Sequence, residues 1–288
     1  MPELPEVQTI VDDLNAAGIV GTTITKARLY WPPSVANLSP GVFCRQIVGR
    51  EISAIRRRGK WIVFAMVDGG FLLVHLRMTG RFHLTAADEK RNKHQHVILH
   101  LDNDLQLRYQ DTRKFGRFYL VDTTEAILGT LGPEPLEKEF TARALGRKLL
   151  GKNRMLKPLL LDQSFIAGLG NIYVDEALWD AGIHPLRKSP SLSKSEIRTL
   201  QRAIRKVLRR GIENLGTTLG SGQTNFYSIG RRRGRNRDRL MVFRKTGTPC
   251  LRCRTPIQRI IVGQRSTHIC PTCQPVEVEK KPLNELNR

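Results

Sequence analysis

The sequence predicts a multidomain α+β protein with an N-terminal β-sandwich, a helical domain and a C-terminal zinc module. Three observations predict it. Short apolar runs separated by turn residues fill positions 24–121, apolar residues then recur at helical spacing, and two Cys-x2-Cys pairs follow near the C-terminus. With 288 residues, the chain is long enough for two or three domains that each have a core.

The N-terminal domain is predicted to combine one helix with a set of strands. Residues 6–17 have apolar side chains on one helical face, Pro5 suits the first helical position, and Gly18 favours a stop. Asp68-Gly69-Gly70 and Asp102-Asn103-Asp104 are typical hairpin turns. The predicted strands are Ile62–Val67, Phe71–His75, Val97–Leu101, Leu105–Tyr109 and Phe118–Val121.

A helical domain is predicted after the linker Gly132-Pro133-Glu134-Pro135. Ser193 and Glu196 have the spacing of a capping box before a helix that Gly216 ends. The glycine-rich residues 163–170 indicate a turn that leads into a helix near Asn171. Residues 217–240 form a long Gly/Arg-rich loop with six arginines between positions 231 and 239.

Four cysteines predict a metal site. Cys250, Cys253, Cys270 and Cys273 form two Cys-x2-Cys pairs separated by 16 residues, a spacing that lets two tight turns present four thiolates to one structural Zn²⁺. Two disulfides are the alternative, and they are disfavoured because the chain shows no export signal. The fifth cysteine, Cys44, is expected to be an apolar thiol in a core.

The charge of the chain predicts a polyanionic partner. Lys and Arg number 48 against 26 Asp and Glu, which gives a formal net charge of +22. Phosphate neutralisation by such a surface favours nucleic acid. An anionic membrane is the competing partner, but the sequence has no apolar run long enough to span a bilayer and no long basic amphipathic helix flanked by Trp or Phe. We therefore expect a cytoplasmic protein.

The amino terminus could act as a nucleophile. Removal of Met1 would expose the secondary amine of Pro2, and α-amines titrate near pH 8, so part of the population is uncharged at neutral pH. Attack on a sugar C1′ would give an iminium that acidifies the neighbouring C2′ proton. Glu3 could transfer the protons that such a reaction needs. From composition alone, an ordinary helix start explains these residues better.

Five motifs favour the catalytic interpretation of the amino terminus over an ordinary helix start. They are M-P-E-L-P-E-V at the terminus, H-L-R-M-T-G at 75–80, D-T-R-K-F-G at 111–116, G-L-G-N-I-Y-V-D-E-A-L at 168–178, and the four-cysteine module. In this order they resemble the formamidopyrimidine-DNA glycosylase family of bacterial base-excision repair, from residue 2 to about residue 274. The resemblance implies a β-sandwich, a helix-two-turn-helix domain and a zinc finger, with duplex DNA in a cleft between the two halves.

The resemblance implies catalytic roles for four residues. Pro2 would be the imine-forming nucleophile and Glu3 the general acid/base. Lys60 would contact a phosphate and assist β-elimination, although a solvated lysine at a strand end is the simpler interpretation without the resemblance. Arg265 would contact phosphates that flank the lesion and assist δ-elimination. Glu6 would be either a supporting carboxylate or a residue that favours the helix dipole.

The resemblance also implies DNA contacts. Met78, Arg113 and Phe115 would fill the space left by an extruded base. His75 and His94 would face phosphates, and His96 would point to the other side of its strand. Lys157 would lie near the lesion nucleotide. Asn171 would offer a phosphate site at a helix N-terminus, or an N-cap, or both.

The implied domains are a sandwich at 1–122, a linker at 123–135, a helix-two-turn-helix domain at 136–226, an Arg-rich continuation of the base-recognition loop at 227–243, a zinc finger at 244–275 and a tail at 276–288. Two features depart from the family pattern. The arginines of residues 217–240 either strengthen backbone contacts or form a solvated run, and Phe243 stands where relatives often have a phosphate-binding tyrosine.

We expect a bifunctional glycosylase and AP lyase for 8-oxoguanine and formamidopyrimidine, acting as a monomer. The close alternative is the endonuclease VIII type, which prefers oxidised pyrimidines. Leu4, Arg113 and Phe115 favour the first. A non-enzymatic zinc-finger protein that binds damaged DNA is the alternative from another class.

Overall fold

The structure is a computed structural model that describes residues 2–220, 226–230 and 232–276. The chain divides into two compact units. Unit 1 contains residues 1–137, 163–169 and 208–239, and unit 2 contains residues 138–162, 170–207 and 240–288. In the part of the chain that the structure describes, no helix is both long and apolar enough to cross a lipid bilayer.

Unit 1 is built on two four-stranded antiparallel sheets, as the sequence predicts. The strands are β1 (Ile24–Leu29), β2 (Ile52–Arg58), β3 (Trp61–Met66), β4 (Phe71–His75), β5 (Arg81–Ala86), β6 (Gln95–Leu101), β7 (Leu105–Gln110) and β8 (Arg117–Val121). One sheet has the order β1-β6-β7-β5 and the other β2-β3-β4-β8. All five predicted strands are present, with ends that differ by at most two residues.

The predicted turns connect the strands in register. Gly69 and Gly70, between β3 and β4, have φ angles of 90° and 78°. Two consecutive positive φ values are typical of the tight turn that matches the twist of a hairpin. Asp104 takes a positive φ of 61° before β7. Aromatic rings pack edge to face in the core, where Phe82 contacts Phe64, Tyr109 and Phe118.

Helix α1 (Leu4–Ala16) packs its apolar face into the same core. It begins two residues earlier than predicted because Glu3 caps it. The Glu3 side chain accepts the backbone N–H of Glu6, and the Glu6 side chain accepts the backbone N–H of Glu3. This reciprocal pair satisfies donors that a helix start leaves free. Two short helices complete the unit before its boundary, α2 (Pro40–Ile47) and α3 (Glu125–Leu128).

Unit 2 is mainly helical. Its helices are α4 (Ala142–Leu150), α5 (Leu156–Leu161), α6 (Asn171–Ala181) and α7 (Lys194–Glu213), and the unit boundary falls within α7. The predicted capping box of α7 is present, because Glu196 N–H donates to the Ser193 hydroxyl (3.2 Å) and Ser193 N–H donates to the Glu196 carboxylate (2.7 Å). The predicted glycine-rich turn precedes α6, as expected.

A two-stranded hairpin, β9 (Gln258–Val262) and β10 (Arg265–Ile269), lies between the two cysteine pairs. The chain that enters this module is anchored to α6. The buried Glu176 carboxylate accepts the backbone N–H groups of Met241, Val242 and Phe243 at 2.9–3.0 Å. Three N–H donors around one carboxylate fix this segment through charge-assisted hydrogen bonds.

Candidate active site and metal centre

The start of the chain is held in a buried setting in unit 1. Pro2 and Glu3 are both buried. Leu4 N–H donates to the carbonyl of Gly168 at 3.0 Å. A Cβ on Gly168, which has a φ of 89°, would lie 2.6 Å from Leu4, so only glycine allows this approach. The glycine-rich turn and the helix start therefore fix the position of Pro2 together.

Glu6 connects the helix start to the first residue of the Arg-rich loop. Its carboxylate accepts Glu3 N–H at 2.8 Å through one oxygen and Thr217 N–H at 2.7 Å through the other. Glu6 is buried. Glu6 therefore caps the helix and holds the neighbouring loop, and its role as a supporting carboxylate in catalysis stays a prediction. The contact to Thr217 joins positions 211 residues apart and has no signal in the sequence.

Lys60 is buried in the turn between β2 and β3, not solvated at a strand end. The turn is fixed by Glu134, whose carboxylate accepts the Gly59 N–H at 2.5 Å and pairs with Arg57 (2.7 Å) and Arg58 (3.0 Å). Burial alone would raise the pKa of Glu134, but Arg57 and the other donors hold that pKa below its ordinary value. The glutamate of the predicted linker therefore orients the Lys60 turn.

His75 is a neutral hydrogen-bond donor. Burial, with the cations of Arg77 and Lys60 nearby, lowers the pKa of His75 to about 3. Its Nδ1 accepts the backbone N–H of Arg77 at 3.0 Å, which places the ring proton on Nε2. Its ring packs edge to face on Trp61, the residue after Lys60, at 4.8 Å between centroids. A phosphate contact from His75 would therefore be an N–H donation and not an ion pair.

Asp111 connects the two loops that carry the predicted void-filling residues. It is fully buried. Its Oδ1 accepts the Arg113 N–H at 3.1 Å and the Thr79 hydroxyl, and its Oδ2 accepts the N–H groups of Phe115 (2.9 Å) and Gly116 (2.8 Å). The hydroxyl of Tyr109 donates to the same oxygen at 3.2 Å. Sequence reasoning missed this role, because an aspartate before a turn is ordinary.

The loops fixed by Asp111 expose two large apolar side chains. Met78 is 40% exposed and Phe115 46% exposed. The Arg113 guanidinium lies over the Phe115 ring, 4.7 Å from its centroid. Arg77 and Lys114, next to these side chains, have positive φ angles of 54° and 59°. Non-glycine residues in that region indicate backbone constrained by its surroundings, often at functional sites.

The predicted histidines of this region differ in exposure. His94 is partly exposed just before β6, and its carbonyl accepts the Asp111 N–H at 3.0 Å. His96 is buried, and its Nε2 bonds the Asp111 carbonyl at 2.9 Å. Only the first of the two can therefore reach a ligand, which agrees with the expected alternation.

Asp111→Asn is expected to lower the free energy of unfolding by about 2–3 kcal/mol, because an amide NH₂ would face donors that now meet a carboxylate oxygen. Chemical denaturation checks this value. Asp122→Asn is the matched control, since Asp122 is exposed at the end of β8. Equal stability of the two variants would contradict the role given to Asp111.

Unit 2 holds further predicted site residues, among them Lys157, Asn171 and Arg265. The side chain of Lys157 is fully buried, as is that of Asp175, and its Nζ lies 2.6 Å from the Asp175 carboxylate. Nζ also donates to the Ser266 carbonyl at 3.0 Å. In this conformation Lys157 holds Asp175 and the Ser266 carbonyl and does not present its charge to solvent, and its place near the lesion nucleotide stays a prediction.

The Ser266 carbonyl lies directly after Arg265 and receives two donors. Besides Lys157, the Asn171 side-chain amide donates to it at 2.9 Å. Asn171 is the first residue of α6 and the N-cap is Gly170, so the N-cap alternative for Asn171 is wrong. At the tip, a Cβ on Gly263 would lie 2.8 Å from Pro158. Helices α5 and α6 therefore fix the hairpin turn from which the exposed Arg265 projects.

Lys157→Met is expected to cost about 3–5 kcal/mol of stability, because it leaves the buried Asp175 carboxylate without its cation. Urea unfolding of the full chain measures this cost. Lys152→Met serves as the matched control on an exposed lysine of the same unit. An unchanged unfolding midpoint for Lys157→Met would show that the pair contributes nothing.

The four predicted metal ligands converge. Their sulfur atoms all lie within 4.8 Å of one another. The Sγ–Sγ distances are 3.9 Å for Cys250–Cys273, 3.3 Å for Cys253–Cys270 and 3.4 Å for Cys253–Cys273. Four thiolates at about 2.3 Å from a zinc ion would be about 3.8 Å apart, so the set fits tetrahedral zinc and leaves no open position for water.

The surroundings of the four thiols differ. Hydrogen bonding by Thr255 lowers the pKa of Cys253 to about 6, whereas burial raises the pKa values of Cys270 and Cys273, so the assignment rests on the geometry of the four sulfur atoms. Cys250 and Cys270 are buried beside Trp179, Val242 and Ile257. Arg252 extends this contact, since it donates to the Trp179 carbonyl at 2.8 Å and lies over the Trp179 ring.

The two departures from the family pattern have definite structural settings. Phe243 packs edge to face on His268, with 5.0 Å between the ring centroids. In the Arg-rich loop, Asp13 of α1 accepts Ile229 N–H at 3.0 Å and pairs with Arg232. Residues 221–225 and 231 of this loop, and the tail from residue 277, lie outside the described residues.

Comparison with known proteins agrees with these features. Residues 1–118 match the model described as the formamidopyrimidine-DNA glycosylase N-terminal domain, and residues 131–222 match its H2TH domain. Residues 247–276 match a zinc finger found in FPG and IleRS. The match of three successive domain models accounts for the sandwich, the helices and the four cysteines.

Relatives cover nearly the whole chain. Formamidopyrimidine-DNA glycosylases of Protochlamydia amoebophila and Herpetosiphon aurantiacus are 47% and 46% identical, over 95% of this chain and 99% and 100% of theirs. Solved structures of the Lactococcus lactis enzyme are similar. A variant in complex with Fapy-dG-containing DNA has a TM-score of 0.88, covering 95% of this chain and 100% of that one, at 37% identity. A complex with abasic-site DNA has a TM-score of 0.87, with 95% and 99% coverage at the same identity. The chain belongs to the formamidopyrimidine-DNA glycosylase family of DNA repair enzymes.

Proposed function

We propose that this protein is a bifunctional enzyme that removes oxidised purines from duplex DNA and then cuts the strand by β,δ-elimination. The observation that carries the proposal is the buried Pro2–Glu3 start of α1, which the Gly168 carbonyl and Glu6 hold in place. Glu3 caps α1, and its position next to the buried Pro2 supports a second, chemical role for this carboxylate. Lys60, also buried in unit 1, supplies a cation of the kind that a phosphate contact requires.

The first step is substitution at the sugar. The uncharged Pro2 nitrogen attacks C1′ and gives up its proton, and the N-glycosidic bond breaks with its electron pair going to the base, which takes up that proton as it leaves. Glu3 protonates the ring oxygen as the sugar opens, and a positively charged iminium joins Pro2 to C1′. No metal takes part in this step in our proposal, since the four thiolates fill the coordination of zinc.

The second step is elimination. The iminium withdraws electrons and acidifies the C2′ proton, and its removal expels the 3′ phosphate. A second proton loss expels the 5′ phosphate. We infer that Lys60 assists the first elimination and Arg265 the second. Arg265 is suited to a phosphate because it is exposed on a hairpin turn that Lys157 and Asn171 fix through the Ser266 carbonyl.

The loops on Asp111 suit an extruded base. We infer that Met78 and Phe115 enter the duplex as apolar wedges, because both are large, exposed and held on constrained backbone. Arg113, stacked on Phe115, would present its guanidinium to the orphaned cytosine. The neutral His75 and the partly exposed His94 would donate hydrogen bonds to phosphates, and the backbone N–H groups at the start of α6 would donate to another phosphate.

Oxidised purines are the proposed substrates. The similar Lactococcus lactis structures include complexes with Fapy-dG-containing DNA. Leu4, which packs on Gly168, and the Arg113–Phe115 pair also favour purine lesions over the oxidised pyrimidines of the endonuclease VIII type. The zinc site is proposed to hold one structural ion.

Borohydride trapping on matched duplexes tests the proposal. Three duplexes are compared. Two carry 8-oxoguanine or formamidopyrimidine opposite cytosine, and the third carries an oxidised pyrimidine opposite its normal partner base. Each duplex is incubated with the enzyme, treated with borohydride, and analysed by mass. We expect covalent adducts on Pro2, fastest with the two purine lesions. Faster trapping with the pyrimidine lesion would favour the alternative specificity, and binding without any adduct would favour a non-enzymatic DNA-binding protein.

A further inference from the structure

A groove on unit 2 is separate from the residues proposed for catalysis. It lies between α4 and the first turns of α7 and has a volume of about 360 Å³. Ligand sites commonly have volumes of about 300–1,000 Å³. The Gln201 side chain of α7 donates to the carbonyl of Phe140, two residues before α4, at 2.7 Å. The groove is lined by Ala142, Arg143, Gly146, Arg147, Leu150, Lys194, Ile197 and Arg198.

The groove combines an apolar floor with a basic rim. Leu150 is 69% exposed, and Ala142 and Ile197 contribute further apolar side chains to the lining of the same groove. Four cations surround it, all exposed: Arg143, Arg147, Lys194 and Arg198. Among the residues that the structure describes, none of the four has an ion pair, and no carboxylate lines the groove.

Gly146 keeps the groove open. It lies in the interior of α4, where glycine is unfavourable compared with alanine. Its backbone does not have a positive φ. A Cβ there would meet only Ile197, at an ordinary distance of 3.7 Å. Neither backbone conformation nor close packing therefore demands glycine, and its clearest structural effect is the space above Ile197.

The charge and the shape of the groove indicate which class of ligand it binds. A nucleic-acid backbone complements the cations but offers nothing to the apolar floor, whereas an acidic peptide with large apolar side chains complements both. The C-terminal segment of this chain, residues 277–288, is a poor candidate because it carries three acidic and three basic residues. We propose that the groove binds an acidic segment of a partner protein, with one or two large apolar side chains against Leu150 and Ile197.

Fluorescence anisotropy tests the proposal with the full-length, zinc-loaded protein. The probe is a fluorescein-labelled peptide, DEDLFDEDL, and its matched control, DEDSSDEDS, has the same charge without apolar side chains. We expect saturable binding of the first peptide and binding at least about tenfold weaker for the second, since the floor contributes only to the first. Similar affinities for both peptides would overturn the proposal.

Three variants localise the binding. Gly146→Glu places a carboxylate in the groove and is expected to weaken peptide binding about tenfold or more, whereas Gly146→Ala adds one methyl group and should change it little. Arg198→Glu should weaken binding more than Arg202→Glu, a matched reversal one turn along α7 outside the groove. Equal effects of the two arginine variants would overturn the proposal.

Binding of undamaged duplex DNA tests the alternative that the groove is a DNA-binding site. If Gly146→Glu weakens duplex binding more than Arg202→Glu does, the groove belongs to DNA and the peptide proposal fails. We expect Gly146→Glu and Arg202→Glu to bind the duplex with equal affinity. We also expect Gly146→Glu to excise 8-oxoguanine at an unchanged rate while it loses peptide binding.

Discussion

An enzyme with additional residues before Pro2 is expected to form no covalent adduct with an 8-oxoguanine duplex after borohydride treatment. Extension turns the Pro2 nitrogen into a tertiary amide, whose lone pair is delocalised into the carbonyl and cannot attack C1′. Both the glycosylase and the lyase steps of the proposed mechanism use this nitrogen, so strand cutting should disappear as well. The measurement is adduct mass and cleavage product on one set of duplexes.

The control for this experiment can be the same polypeptide. A removable tag whose protease leaves Pro2 as the first residue gives an extended and a processed form that differ only in that bond. The processed form should recover the adduct completely. Because Pro2 is buried, the extension could also block the binding of DNA. Affinity for a duplex with a non-reactive abasic analogue, measured for both forms, shows whether the extended form still binds DNA and lacks only the reaction. An adduct from the extended form would refute the assignment of Pro2 as nucleophile.

Replacement of Cys270 by serine is expected to unfold the zinc module and abolish duplex binding. Zinc binding contributes about 10–16 kcal/mol to small four-ligand modules, far more than a single domain can spare. Cys270 is buried with Cys250 against Trp179 and Val242, so unfolding of the module should also loosen the side-chain packing around Trp179 of α6. Zinc content by elemental analysis and duplex affinity by titration are the measurements. The β-sandwich of unit 1 should remain folded.

Cys44→Ser is the matched control for Cys270→Ser. Cys44 is partly buried in unit 1, and burial raises the pKa of its thiol. It is therefore expected to stay protonated and to take no part in zinc binding. The variant should keep its zinc and its duplex affinity. Zinc loss from the Cys44 variant, or retained zinc and binding in the Cys270 variant, would contradict the assigned ligand set.

The features that the sequence predicted well are those encoded by short-range patterns. Hairpin turns at Gly69–Gly70, the capping box of Ser193 and Glu196, and the paired cysteines each depend on residues within a few positions. The physical rule is local in each case: a positive φ, a reciprocal side-chain cap, or two thiolates on one turn. Element types followed from the same local periodicity.

The features that were missed depend on distant partners. Asp111 receives donors from two loops that meet only after β5 and β7 pair. Glu6 reaches Thr217 across 211 residues. The family resemblance implied that Lys157 lies near the lesion nucleotide, and its full burial in a pair with Asp175 was not predicted because lysine is rarely fully buried. Its position in the apolar run L-K-P-L-L-L was the one local sign of burial.

Three successive backbone N–H groups of residues 241–243 donate to the Glu176 carboxylate, so we expect the loss of zinc to unfold only the part of the module that follows them. These bonds belong to α6 and contain no thiolate, so they survive when the metal is removed. The next residues are Arg244 and Lys245. In a metal-depleted protein we therefore expect loss of order to begin after Phe243, and the bond after the exposed Arg244 to be cut by trypsin faster than in the zinc-loaded protein.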